Sequence, residues 1–298
     1  MSDLSPYALI QPFLDYGFMR RSLIGCLALS IGAPPIGVFL MLRRMSLVGD
    51  AMAHAILPGA AIGFLIAGLS LFAMSLGGFI TGLTVVLLSG VVTRSTILKE
   101  DASLASFYLL SLALGVMIVS VKGSSIDLLH VLFGSVLALD DTALLLVVSI
   151  ATVSTLVLAL IYRPLVLECF DSDFLRSVSR ASLPTHFLFL VLLVLNLVGG
   201  FQALGTLMVV GIMLLPAISA RFWAVSVAGM IAAAVVLAFL ASFTGLLLSY
   251  HFDIPSGPAI ILTAGGFYLL SMLLGARGGA VVRLMPRRPR GQAEQVAT

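Results

Sequence analysis

The chain has 298 residues and a formal net charge of +3, but only 10% of its residues are charged and 60% are hydrophobic, with a mean hydropathy of +1.19. Soluble globular domains carry about 25% charged residues, so this composition excludes a soluble domain and describes an all-α, polytopic membrane protein. The basic residues stand at the ends of apolar segments as topology signals, not as a nucleic-acid patch, and the two cysteines, Cys26 and Cys169, supply neither a disulfide framework nor a thiolate metal site.

Residues 1–17 are short, mixed and proline-containing, and are expected at the membrane interface. They carry Asp3 and Asp15 without a basic leader, unlike a cleavable signal peptide. Ser22 to Leu42 is uncharged and meets the roughly 20 residues that one crossing needs. Pro34 and Pro35 in its middle predict a kink or break. No Lys, Arg, Asp or Glu occurs from Ala51 to Thr93. That run is too long for one crossing, and a split near Gly68 to Ser70 gives helices over 47–68 and 71–93. Residues 94–101 form a charged turn, and Ala102 to Val121 spans again.

Residues 122–141 are too polar at their ends to cross and too apolar to stand free in water, which predicts a short helix on or dipping into the membrane. Asp127 and His130 in it stand at i, i+3 and could touch a cation, although a helix cap and a solvated histidine suit the pattern better. Thr142 to Tyr162 spans. Residues 163–180 are expected outside the bilayer, opened by Pro164. Asp171, Ser172 or Asp173 would cap a short helix bearing Phe174, Leu175 and Val178. Such a helix reads as a docking element for a partner or as one lying on lipid.

Residues 181–220 need two crossings, with a turn expected at Gly199-Gly200 and a break at Pro216 before Arg221. Ala224 to Tyr250 and Pro258 to Ala276 complete the spans around a tight loop over 251–257. The tail from Arg277 is basic and reads as a disordered cytoplasmic end. The count is nine crossings, or eight if one is re-entrant. Loop arginines put Arg43-Arg44, 94–101, 163–180, Arg221 and the tail inside, and leave Arg20 and Arg21 as misfits.

The chemistry concentrates in residues 43–63. Asp50 and His54 lie four residues apart beside a long apolar run, so on a helix they share one face. A carboxylate oxygen and an imidazole nitrogen at that spacing can grip one divalent cation. Ionisable groups in such a setting are costly and point to function, although Asp50 could instead cap a helix while His54 bonds a carbonyl. Pro58 removes a helical donor, and Gly59 and Gly63 form a G-x-x-x-G that lets a neighbouring helix approach closely.

No phosphate-binding G-x-x-x-x-G-K-[ST], zinc-peptidase H-E-x-x-H or serine elbow G-x-S-x-G occurs, so a non-enzymatic transport role is expected. A stand-alone secondary divalent-cation transporter, the rival reading, would be expected to carry more intramembrane acids as relays. A non-transport scaffold would tolerate loss of Asp50.

Five segments resemble the permease subunit of bacterial zinc/manganese/iron ABC importers. They are R-R-M-x-L-x-G-D-A-x-x-H-A over 43–55, F-G-S-V-L-A-L over 133–139, P-L-V-L-x-x-F-D over 164–171, G-T-L-M-V-V-G-I-M-L-L-P-A over 205–217, and D-x-P-S-G over 253–257. The similarity runs from about residue 18 to 275. It implies a homodimer in the bacterial inner membrane, a separate ABC ATPase subunit below, and a periplasmic or surface metal-binding receptor above. It also implies that Asp50 and His54 are the metal contacts and gate, and that residues from about Cys169 to Arg180 couple to the ATPase, with Cys169, Phe170, Asp171, Phe174, Leu175 and Val178 as the contacting set. No permanently bound cofactor is expected; the metal is cargo, Zn2+ or Mn2+, with mixed N and O ligands leaning to zinc.

Overall fold

The structure is a computed structural model that describes residues 6–68, 70–121, 136–170, 182–277 and 279–281. Asp127, His130, Asp171, Phe174, Leu175, Val178 and the tail from residue 282 lie outside the described residues. Every regular element described is helical. In chain order these are α1 (Pro6–Asp15), α2 (Gly17–Leu42), α3 (Ser46–Ala55), α4 (Leu57–Ala67), α5 (Leu71–Ser95) and α6 (Glu100–Val121). After a single 3-10 turn at Val136–Ala138 come α7 (Asp141–Phe170), α8 (Ser182–Leu204), α9 (Thr206–Ala220), α10 (Val227–Phe252) and α11 (Ser256–Leu274).

Among the described residues, eight candidate spans are long and apolar enough to cross a membrane, with α3 and α4 together forming one of them. The ninth apolar helix, α9, has only 15 residues, about 23 Å at 1.5 Å per residue, against a hydrocarbon thickness of about 30 Å. It packs on α2, α10 and α11, and Met208, Val209, Ile212, Met213, Ala217 and Ala220 are buried.

α2 is the central span. Cys26, Ala33, Ile36, Val38, Phe39 and Leu40 are fully enclosed, and the Phe39 ring meets Tyr162 and Phe189 edge-on at centroid distances of 6.2 Å. Lipid is as apolar as these side chains, so close packing and interhelical hydrogen bonds hold such a bundle together. Buried Asn196 of α8 donates to Ser154 Oγ of α7 at 2.6 Å and to its own helix at Leu192 O at 2.9 Å. The N-terminal helix α1 lies against this bundle: Phe13 is buried and stacks on Phe243 at 5.2 Å.

Three local expectations change. The chain turns at Gly205, not at Gly199-Gly200. Gly205 has φ of 91°, a conformation open to glycine at little cost, whereas Gly199 and Gly200 lie inside α8 against Ile150 and Val209. Pro216 does not end its helix, since α9 continues to Ala220. Pro164 does not open a new segment either: residues 163–170 continue α7, and Leu165 is fully buried. α2 runs unbroken through Pro34 and Pro35. A proline removes one donor and crowds one carbonyl, and a helix enclosed by neighbours can carry that loss.

Of the two arginines expected as misfits, Arg21 has an ion-pair partner. Arg21 Nε lies 3.2 Å from Asp141 Oδ1 at the start of α7, at the opposite end of the bundle from Arg43. Next to it Asp140 caps α7, accepting from the Ala143 N–H at 2.9 Å and from the Thr142 hydroxyl. Those two bonds hold its carboxyl below the usual carboxylate range.

Candidate functional site

The site begins with the turn that launches α3. The Arg44 N–H bonds Met41 O at 3.1 Å and the Met45 N–H bonds Leu40 O at 2.9 Å, the double bond pattern of a Schellman cap. Arg44 fills the left-handed position at φ 61° where glycine is usual, a conformation that costs a side-chain-bearing residue about 1–3 kcal/mol. The turn from α2 into α3 is therefore short and fully hydrogen-bonded.

Along α3, Val48, Gly49, Met52, Ala53 and Ala55 are buried. Asp50 and His54 emerge on another face, with Asp50 Oδ1 3.9 Å from His54 Nε2 and side chains 64% and 31% exposed. His54 Nδ1 is buried without a hydrogen-bond partner among the described residues. Asp50 is thus left largely uncovered by its own chain, and a single chain brings two donors together: no group of three or more His, Cys, Asp or Glu able to hold a metal occurs among the described residues. At about 1.5 Å per residue, Asp50 lies about 6 Å and His54 about 12 Å along the helix from Ser46. Both are in the half of the α3–α4 span nearer Arg43.

The span breaks at Ile56, just beyond His54. Pro58 stands in the first turn of α4, where a missing N–H costs nothing. The carbonyl of Ala55 accepts instead from Ser111 Oγ of α6 at 2.7 Å. Gly59 and Gly63 face α5, where side chains at these positions would run into the backbone of Gly77 and Ala73.

A second polar cluster, with no motif to announce it, lies at the Arg43 end of the bundle. Arg43 Nη2 is 2.7 Å from Glu168 Oε1, with both side chains more than nine-tenths buried. Arg43 Nη1 is 3.1 Å from His186 Nδ1, and its guanidinium sits 5.1 Å from the centre of the Phe189 ring. His186 Nε2 is 2.9 Å from Glu100 Oε1, and Nδ1 is 3.8 Å from Glu168 Oε1. Glu168 Oε2 is buried without a hydrogen-bond partner among the described residues. The cluster joins the ends of α2, α6, α7 and α8. Of the expected ATPase-contacting residues, Cys169 is half-buried beside Arg43 and Phe170 is exposed. A lone acid in the apolar run P-L-V-L-E-C-F was the available signal for Glu168; its partners could not be read from it.

Comparison with known proteins extends over nearly the whole chain. Residues 15–275 match the family model of the ABC 3 transport family. The manganese import system permease protein ScaB of Streptococcus parasanguinis is 35% identical over 270 residues, covering 89% of this chain and 95% of the relative. The manganese transport system membrane protein MntC of Halalkalibacterium halodurans is 31% identical, covering 95% of each. The chelated iron transport system membrane protein YfeD of Yersinia pestis is 28% identical, covering 90% of this chain and 89% of the relative. PsaBC from Streptococcus pneumoniae, solved in complex with Fab, superposes with a TM-score of 0.80 at 31% identity, over 92% of this chain and 97% of that one. With its apolar helices and its match across residues 15–275, the chain belongs to the ABC 3 transport family and is a multi-pass protein of the bacterial plasma membrane.

Proposed function

We propose that the chain is the membrane-spanning permease subunit of an ATP-driven importer for divalent metal ions, with Mn2+ as its cargo. The observation that carries this reading is the Asp50–His54 pair, one turn apart on a span face that its own chain leaves open. The relatives support the choice of ion: ScaB and MntC are described as manganese permeases and YfeD as a chelated iron transporter. They lend no support to the lean towards zinc.

In this reading two copies pair across a central path, and each offers one carboxylate and one imidazole. Two oxygens and two nitrogens suit a borderline ion, and Mn2+, which favours oxygen and higher coordination, completes its shell with water. A receptor delivers the ion from outside. A separate ATPase subunit binds at the arginine-rich end, which the positive-inside rule makes cytoplasmic, and drives alternating access.

The test is metal content by mass spectrometry in cells lacking the protein, grown in metal-poor medium and complemented with wild type or with His54→Ala. Wild type restores manganese and the variant does not. Restoration of zinc or iron alone would replace the assigned cargo, and unchanged content of all three metals in the deletion strain would remove the transport reading.

A further inference from the structure

We propose that Arg43 is the positioning residue through which ATPase contact is transmitted to the metal-contact helix, with Glu168 and His186 as its two handles. The inference rests on the importer reading above and adds a route that the pair Asp50 and His54 does not supply by itself.

Three observations converge on it. First, Glu168 and His186 flank the stretch from about Cys169 to Arg180 that the family resemblance implies as the ATPase contact: Glu168 stands in the last turn of α7 and His186 in the first turns of α8. Both reach the same guanidinium, at 2.7 Å and 3.1 Å. A force applied between these two helix ends therefore arrives at Arg43 from both sides.

Second, nothing loose separates Arg43 from α3. The Schellman cap closes over Arg43–Met45 with the Arg44 and Met45 N–H groups bonded back into α2, and Ser46 begins the next helix at once. Asp50 lies in the second turn of that helix. Gly49 beside it rests against Leu40 and Met213, so α3 is held to α2 and α9 near the metal contacts as well as at its start.

Third, the cluster is costlier than a fastening needs to be. Desolvating two charges can cost more than their attraction returns, and a buried ion pair can often be exchanged for apolar side chains without loss of stability. Here Glu168 Oε2 is buried and finds no hydrogen-bond partner among the described residues. A planar guanidinium with several fixed donors can exchange acceptors in place, and two acceptors from two different helices are already within its reach.

The experiment uses this chain assembled with its ATPase and receptor in proteoliposomes, reading Mn2+ taken up per ATP hydrolysed. Two variants are compared with wild type: Glu168→Gln, and the double variant Arg43→Met/Glu168→Leu, which removes both charges while keeping apolar volume and leaves His186 with Glu100. The expected result is intact assembly and ATP hydrolysis, with Mn2+ per ATP reduced about tenfold, within the usual range of coupling between separate sites. A purely structural role would leave that ratio unchanged once assembly is retained. Assembled variants with the wild-type ratio overturn the inference. So does loss of assembly in both variants, because the pair would then be a fastening. Failure of the wild-type complex to take up Mn2+ with ATP overturns the importer reading, and is recognised by appearing without any substitution.

Discussion

Arg43 and Glu168 meet at 2.7 Å with side chains only 8% and 7% exposed, joining the end of α2 to the end of α7. The Phe189 ring covers the guanidinium from one side, and His186 occupies another of its donors. The pair is desolvated, so its two members should respond very differently to single and to paired replacement.

Arg43→Ala alone should lower stability by about 3–5 kcal/mol, because it leaves the Glu168 carboxylate buried without its counter-charge. The apolar double variant Arg43→Met/Glu168→Leu should be close to wild type. Thermal unfolding of the purified protein in detergent checks this, and equal losses for the two would mean that the charge is not what the single variant disturbs.

Asp50→Asn and His54→Ala should each abolish metal uptake while leaving expression and membrane insertion intact. The motive is the i, i+4 pair on α3, with Asp50 largely exposed and His54 half-buried. Cellular manganese measured beside membrane-fraction abundance decides the matter; near-normal accumulation in both variants would remove these residues from the ion path.

Gly59→Ala should destabilise the α4–α5 contact by about 1–3 kcal/mol, the usual cost of forcing an extra group into packed space. The new methyl would run into the backbone of Gly77 and the Thr81 hydroxyl, and backbone cannot turn aside as a flexible side chain does. A fall in Tm shows it. Gly265→Ala is the control, since among the described residues nothing outside its own helix lies within 4 Å of its would-be side chain.

Phe174→Asp should weaken recovery of the ATPase with this subunit, if the stretch after α7 docks the partner through an apolar face. Burying a charge in such a contact costs several kcal/mol. Co-purification from membranes provides the measurement, and undiminished recovery would return the segment to a lipid-facing role.

Much of this protein could be read before any coordinates. Segment length and apolar content set the helical class and nearly every span, because a bilayer demands internal hydrogen bonding and about 20 apolar residues per crossing. The split at Gly68 and the i, i+4 placement of Asp50 and His54 are equally local, and the motif over 43–55 pointed to the family. What remained depended on neighbours. Whether Gly199, Gly200 or Gly205 makes the turn depends on which of them is packed against Ile150 or Val209 and which is free to take a positive φ. Whether Pro164 and Pro216 end a helix depends on what surrounds the carbonyl each one crowds. The cluster of Arg43, Glu100, Glu168 and His186 could be assembled only by packing α2, α6, α7 and α8 together, because the attraction between such groups depends on distance and burial, which neither spacing nor composition encodes.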